Sequence, residues 1–160
     1  GFSIAIIQKD LDFQVNPQTP PLYQYQNYLK YKSLMNTPNT FAWFTAGRVF
    51  KWLLKEGGVA EMARRSEKKS NDLYDYIDQS EFYRNTVPGS LRSKMVVPFD
   101  LPDHLSPADF VKAAEQVGLM GLMGHRKRGG LRAALYNAMP FEGVQRLVEF
   151  MKEFKEKHEA

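Results

Sequence analysis

"LMGLMGHRKRGGLRAALYN", residues 119–137, decides how the second half of the chain folds. Two short apolar runs, "LMGLM" (119–123) and "LRAALYN" (131–137), flank a basic segment that ends in Gly129 and Gly130. Apolar runs of this length between turn residues read as strands, and glycine lets a chain reverse tightly. The stretch therefore reads as a hairpin. His125, Arg126, Lys127 and Arg128 sit at its bend, with Arg132 on the returning strand, and nothing in the bend is acidic. Like charges repel, so either the bend faces water or an anion lies against it.

Upstream, "SKMVVPF" (93–99) reads as a strand, and Pro98 marks an edge position or a bulge. "SPADFVKAAEQVG" (106–118) carries a helix-start signature: Ser106 as cap, Pro107 in the first turn, Asp109 as a capping-box acid, and Gly118 as the stop. Downstream, Val144, Leu147, Val148, Met151 and Phe154 recur at helical spacing within a helix of about 141–158. The order from residue 93 is thus β-α-β-β-α, which suits helices layered on a small antiparallel sheet.

The first half reads differently. "SIAIIQK" (3–9) is an apolar run expected to be a strand covered on both faces. Residues 11–33, with Pro17, Pro20 and Pro21 and with Tyr23, Tyr25, Tyr28 and Tyr31 interleaved, read as irregular. Long irregular stretches usually bind something, and these tyrosines suit a ligand or a partner subunit. A helix follows, capped by Thr37 with Pro38 in its first turn or by Thr40 slightly later, and ended by Gly57 and Gly58. Phe41, Phe44, Val49, Trp52 and Leu53 form its apolar face, which with Trp43 reads as core or subunit interface. A second helix spans about 59–78, with Val59, Met62, Leu73 and Ile77 inward and "ARRSEKKSND" mostly solvated.

Composition sets outer limits. The chain has 160 residues, 43% hydrophobic and 13% aromatic, enough for a real core. A net charge of +4, from 22 basic and 18 acidic residues, permits an anionic ligand without requiring nucleic acid. There is no cysteine, so disulfides and thiolate metal sites are excluded. The three histidines, His104, His125 and His158, have no metal-ligand spacing. No run of residues suits a membrane span or a signal peptide.

Two clusters carry chemistry. At "NTPNT" (36–40), a helix N-terminus offers unpaired backbone N–H groups, and Asn36 and Thr37 add side-chain donors, a combination that holds phosphate. An ordinary cap is the plainer reading. On the hairpin, arginine grips carboxylate or phosphate through paired hydrogen bonds. Lys127 and Arg128 read most simply as solvated charge. Arg132, on an apolar strand, needs either an internal acid or an anionic ligand.

The strings "NTPNTFAW", "GGVAEM", "YRN", "RSKM", "VPF", "GHRKRGGLRA" and "LYNAMP", in this order, resemble the C-terminal portion of the phosphoserine aminotransferases. These are class-V, pyridoxal-phosphate-dependent enzymes of fold type I. The resemblance runs the whole length of the chain. It implies an α/β fold, represented by the end of the large cofactor-binding domain (1–56), a connecting helix (57–80) and a small two-layer α+β domain (81–160). It implies a cytoplasmic homodimer of serine biosynthesis with active sites at the subunit boundary. There the enzyme exchanges an amino group between glutamate and 3-phosphohydroxypyruvate. Asn36 and Thr37 would reach the pyridoxal 5'-phosphate of the neighbouring subunit. His125 and Arg126 would hold the substrate phosphate, and Arg132 the substrate carboxylate. The chain departs from the pattern at Asn39, where proline is usual, at Met123, where lysine is expected, and at Lys127 and Arg128, which replace apolar residues.

The family's Schiff-base lysine precedes the strand with which this chain begins. Lys9 stands at the wrong end of that strand, and the other lysines fall on helices or loops. With Gly1 opening directly onto the strand, the expectation is that an upstream part holds this lysine and that these 160 residues alone do not transaminate. A rival reading is a non-catalytic phosphate- or nucleic-acid-binding α+β module derived from an aminotransferase.

Overall fold

The computed structural model describes residues 1–8, 10–11 and 14–159. The chain divides into two compact units, Gly1–Lys55 and Glu56–Ala160.

In the first unit, residues 3–8 form neither strand nor helix, and Lys9, the end of the expected strand, lies outside the described residues. A strand exists by hydrogen bonding to a neighbour, and no strand forms among the described residues of this unit to supply one. The irregular reading of 11–33 is corrected in part. Pro20 and Pro21 start a single 3-10 turn over Pro21–Tyr23, followed by a short helix α1, Tyr25–Lys30. Side chains organise this stretch: Gln24 Nε2 donates to Thr19 O, and Tyr28 Oη donates to Leu22 O. The chain leaves α1 through Lys32 and Ser33, both with positive φ.

Helix α2 spans Thr40–Lys55. Its cap is neither Thr37 nor Thr40: Asn39 Oδ1 accepts from Ala42 N at 3.1 Å. An asparagine carbonyl reaches the third helical amide well, so the residue that departs from the family pattern takes over the cap. The expected apolar face is present, but α2 buries no residue, and Phe41 is 79% exposed.

The second unit holds the core. Helix α3 spans Gly58–Asp78, strand β1 Val96–Phe99, α4 Pro107–Gln116, β2 Met123–His125, β3 Gly129–Ala134 and α5 Phe141–Glu159. The sheet order β1-β3-β2 is antiparallel throughout, with Val97 opposite Ala133 and Phe99 opposite Leu131. Pro98 thus sits on an edge strand, where its missing N–H is tolerated. Alternation along β3 and the residue after it buries Leu131, Ala133 and Leu135 against the helices and turns Arg132 to the other face. Phe110 of α4 is fully buried, with ring centroids 5.1 Å from Phe150, 4.8 Å from Phe154 and 5.9 Å from Phe99.

The ends of α4 follow the signals at Ser106 and Gly118, but the expected capping box is not closed, since Asp109 makes no side-chain bond to the Ser106 amide among the described residues. Ser106 Oγ accepts from Ala108 N. At the other end of α4, Leu119 N donates to Ala114 O and Gly118 N to Glu115 O, with Gly118 at φ +83. This is the double bond pattern that a left-handed C-terminal glycine allows.

One reading of α3 is corrected and a second is refined. Val59 is 87% exposed: it falls in the first turn, before the helix meets the core. "ARRSEKKSND" is mostly solvated, as expected, except for Ser66, Lys69 and Ser70, which are buried. They lie on the stripe of Met62, Leu73 and Ile77, and helical geometry places them inward whatever their polarity. Lys69 meets the requirement of a buried cation by donating to Tyr136 O at 2.7 Å and Met139 O at 2.9 Å. Among the described residues, no helix is long and apolar enough to cross a membrane.

Candidate functional site

The hairpin is shorter and tighter than the sequence implies. The strand expected over 119–123 lies instead at β2, Met123–His125, because Gly121, with φ +75, breaks the run before it. The turn is then Arg126, Lys127 and Arg128, with His125 paired to Gly129 and Arg128 N donating to His125 O at 2.9 Å.

The glycines answer to the protein's own atoms. A Cβ on Gly124 would collide with the backbone carbonyls of Gly129 and Gly130 across the hairpin. A Cβ on Gly130, at φ +65, would collide with the carboxylate of Asp100. The close approach that these glycines permit is therefore to the facing strand and to Asp100.

Asp100 also decides the state of the turn. It lies one residue past the β1 ladder, opposite Gly130, with its backbone fixed by paired bonds to Arg84: Arg84 N to Asp100 O at 3.0 Å and Asp100 N to Arg84 O at 2.8 Å. Both carboxylate oxygens take the Arg128 guanidinium, at 2.7 and 3.2 Å. Arg128 is exposed, as expected from sequence, but it is paired with an acid that the sequence reading did not supply. The turn contains no acid, but β1 delivers one. Arg84 turns to Asp103 and to Leu101 O.

The remaining cations stay uncommitted. Arg126, Lys127 and Arg132 are exposed and have no ion pair among the described residues. The internal acid considered for Arg132 is not there: the face of β3 it occupies carries Gly130 and Ala134 beside it. His125 Nδ1 accepts from Lys127 N at 3.2 Å. That bond fixes the neutral ring as the Nε2–H tautomer, so the free edge of the imidazole is a donor. The hairpin therefore presents one N–H donor and three cations, with a fourth cation neutralised.

In the first unit, Asn36 and Thr37 line a cleft of about 600 Å³ with Pro38, Asn39 and Trp43, and Tyr23, Tyr25 and Tyr28 form part of its wall. The side chains of Asn36 and Thr37 are exposed and donate to nothing among the described residues. Asn39 satisfies the Ala42 amide, which leaves the Thr40 and Phe41 amides at the positive end of α2. These donors suit a phosphate. Asn36 and Thr37 belong to the first unit, and His125, Arg126 and Arg132 to the second.

Residues 4–147 match the family model described as aminotransferase class-V. The chain is 46% identical over 157 residues to a phosphoserine aminotransferase of Idiomarina loihiensis, covering 98% of this chain and 44% of that protein. It is 50% identical over 159 residues to one from Shewanella sediminis, covering 99% and 43%. Among solved structures, phosphoserine aminotransferase from Bacillus circulans superposes with a TM-score of 0.84 at 42% identity, over 89% of this chain and 40% of that one. The pyridoxal-phosphate-bound enzyme of Trichomonas vaginalis gives 0.80 at 37%, over 86% and 40%. The fold is that of the matching part of these fold-type I transferases, and the chain spans less than half the length of the relatives it matches.

Proposed function

The chain belongs to the class-V aminotransferase family, and from that premise we propose that it serves a phosphoserine aminotransferase, which moves an amino group from glutamate to 3-phosphohydroxypyruvate. The observation that carries this reading is the division of charge on the hairpin. Arg128 is paired at the surface with Asp100, whereas Arg126, Lys127, Arg132 and the His125 Nε2–H are left for a ligand with two kinds of anionic group. Residues 1–56 then belong to the cofactor-binding domain, 57–80 to a connecting helix and 81–160 to the small domain. The enzyme acts as a homodimer in the cytoplasm, an assignment taken from the family resemblance.

Asn36 and Thr37 would hold the phosphate of pyridoxal phosphate belonging to the neighbouring subunit, helped by the free amides at the start of α2. When bound, that cofactor supplies an electron sink and a carrier for the amino group. His125 donates through Nε2 to the substrate phosphate, and Arg126 neutralises it. Arg132 grips the carboxylate with a planar fork that lysine cannot copy. Holding both ends of the substrate fixes its reacting carbon and supplies binding energy remote from the chemistry.

The test is a two-substrate comparison in the holoenzyme. Arg126→Ala should lower kcat/KM by about 10–100-fold with 3-phosphohydroxypyruvate, since a hydrogen bond to a charged group contributes about 1.5–3 kcal/mol. With pyruvate, which lacks the phosphate, the same change should do little, while Arg132→Ala should impair both substrates. Equal losses from Arg126→Ala on both substrates would refute the assignment.

A further inference from the structure

The Asp100–Arg128 pair lies outside the set of groups assigned to the substrate, yet it is built into the turn that carries two of them. We propose that Asp100 is a positioning residue for the anion-binding turn: it draws Arg128 back onto the end of β1, and so leaves Arg126 and Lys127 as the cations at the tip. The inference rests on the reading of that turn as the substrate-phosphate site.

Three independent features make the pair a device of the fold. Asp100 cannot drift, because its own amide and carbonyl are both bonded to Arg84. Its two oxygens are both engaged by one guanidinium, a geometry that fixes direction as well as distance. Gly130 provides the room, since a side chain there would occupy the space of the carboxylate. The other acid near this end of the sheet, Asp103, is taken by Arg84, so Arg128 has no competing acid among its ion pairs. Because Arg128 N also donates to His125 O, holding the Arg128 side chain holds the closing residue of the turn. The His125 ring is tied in turn to the Lys127 amide. Displacement of Arg128 therefore reaches both His125 and the tip.

The charges give the inference a signature that loss of structure alone does not have. In Arg128→Leu, the Asp100 carboxylate is left unpaired beside a site for a dianion, and it repels the ligand. Removing that charge as well, in Asp100→Asn with Arg128→Leu, relieves the repulsion although more of the pair is gone. The experiment measures KM and kcat for 3-phosphohydroxypyruvate and for glutamate in the holoenzyme. Its variants are Arg128→Leu, Asp100→Asn, the double variant and Arg126→Ala. Thermal unfolding confirms that each one folds.

Arg128→Leu should raise KM for the phosphorylated substrate about 5–20-fold. It should leave kcat within about twofold and KM for glutamate unchanged, and the double variant should recover at least half of the loss on a logarithmic scale. If Arg126→Ala raises KM but Arg128→Leu and Asp100→Asn are silent, or if the double variant is as impaired as the sum of the singles, the positioning role is overturned and the phosphate site stands. If Arg126→Ala is itself silent, the phosphate site is wrong and the inference falls with it.

Discussion

Lys69 offers a test of how a buried cation is accommodated. It is 2% exposed, on the inward stripe of α3, and its ammonium group donates to Tyr136 O and Met139 O, the carbonyls that bracket the turn between β3 and α5. Replacing it with methionine keeps the length of the stem and removes the charge. Taking an ammonium out of water costs several kcal/mol, so its removal could be neutral or stabilising. What decides the sign is the fate of the two carbonyls. Tyr136 O keeps a partner, because Met139 N donates to it at 2.9 Å, but Met139 O loses the donor that satisfies it. One fully unsatisfied and one half-satisfied carbonyl should together destabilise by about 1–3 kcal/mol, after the relief of desolvation is set against them.

The pH dependence carries a second sign. Burial, and then the nearby charge of Arg65, lowers the pKa of Lys69 from the usual lysine value. The folded state therefore binds fewer protons here than the unfolded state once pH exceeds the folded pKa. Stability rises with pH between that value and the ordinary lysine range, where the unfolded chain also loses its proton. Lys69→Met should lack this rise. The measurement is amide hydrogen exchange at Leu73 and Ile77, both buried on α3, between neutral and alkaline pH. A Lys69→Met protein within about 0.5 kcal/mol of the parent at neutral pH, with the same alkaline slope, would refute the argument.

Gly130→Ala should destabilise by about 2–3 kcal/mol in urea titration, combining the left-handed backbone penalty with loss of the Asp100–Arg128 pair. In an Asp100→Ala background only the backbone part, about 1–2 kcal/mol, should remain, and an unchanged penalty there would show that the carboxylate does not fill the space. Phe110→Ala should cost about 3–5 kcal/mol, read as an earlier urea midpoint, because it empties the centre of the aromatic cluster. Hydrogen bonds from Arg92, 2.6 and 2.7 Å long, lower the pKa of Asp78. Its contribution is present above the ordinary aspartate range and fades as pH falls through the lowered value, so Asp78→Asn should cost about 0.5–1 kcal/mol at neutral pH and little in strong acid.

The second unit was legible because its signals are local and redundant. Ser106 with Pro107 starts α4 and Gly118 ends it, and the alternation of Leu131, Ala133 and Leu135 sets the inward face of β3. The first unit was less so. A run such as "SIAIIQK" states a preference for a strand, but strand formation depends on a neighbour that periodicity cannot supply. The cap of α2 was misread because Thr37, Asn39 and Thr40 are all good caps, and only the backbone decides which carbonyl or hydroxyl meets Ala42 N. The burial of Lys69 was hidden by its neighbours: in "RRSEKKSN" the polar residues mask a helical stripe that Met62 and Leu73 would have extended inward.

The candidate site shows the same limit in electrostatic form. Counting charge along residues 124–132 gives a bend with no acid in it, and such a count overstates what a ligand would meet. Strand pairing brings residues together that lie far apart in sequence: Val96 faces Ala134 and Phe99 faces Leu131, so the next step sets Asp100 against Gly130. Once that register is known, Arg128 has an acid within reach and Arg126 does not. The residues that remain cationic are those on which the ladder places no carboxylate. Arg132 is the clearest of these, because its partner across the ladder is Pro98, which offers neither an acid nor an N–H. Placed between residues buried on the opposite face of the sheet, Arg132 gives nothing to the core, and the anion proposed for it has to come from outside this strand.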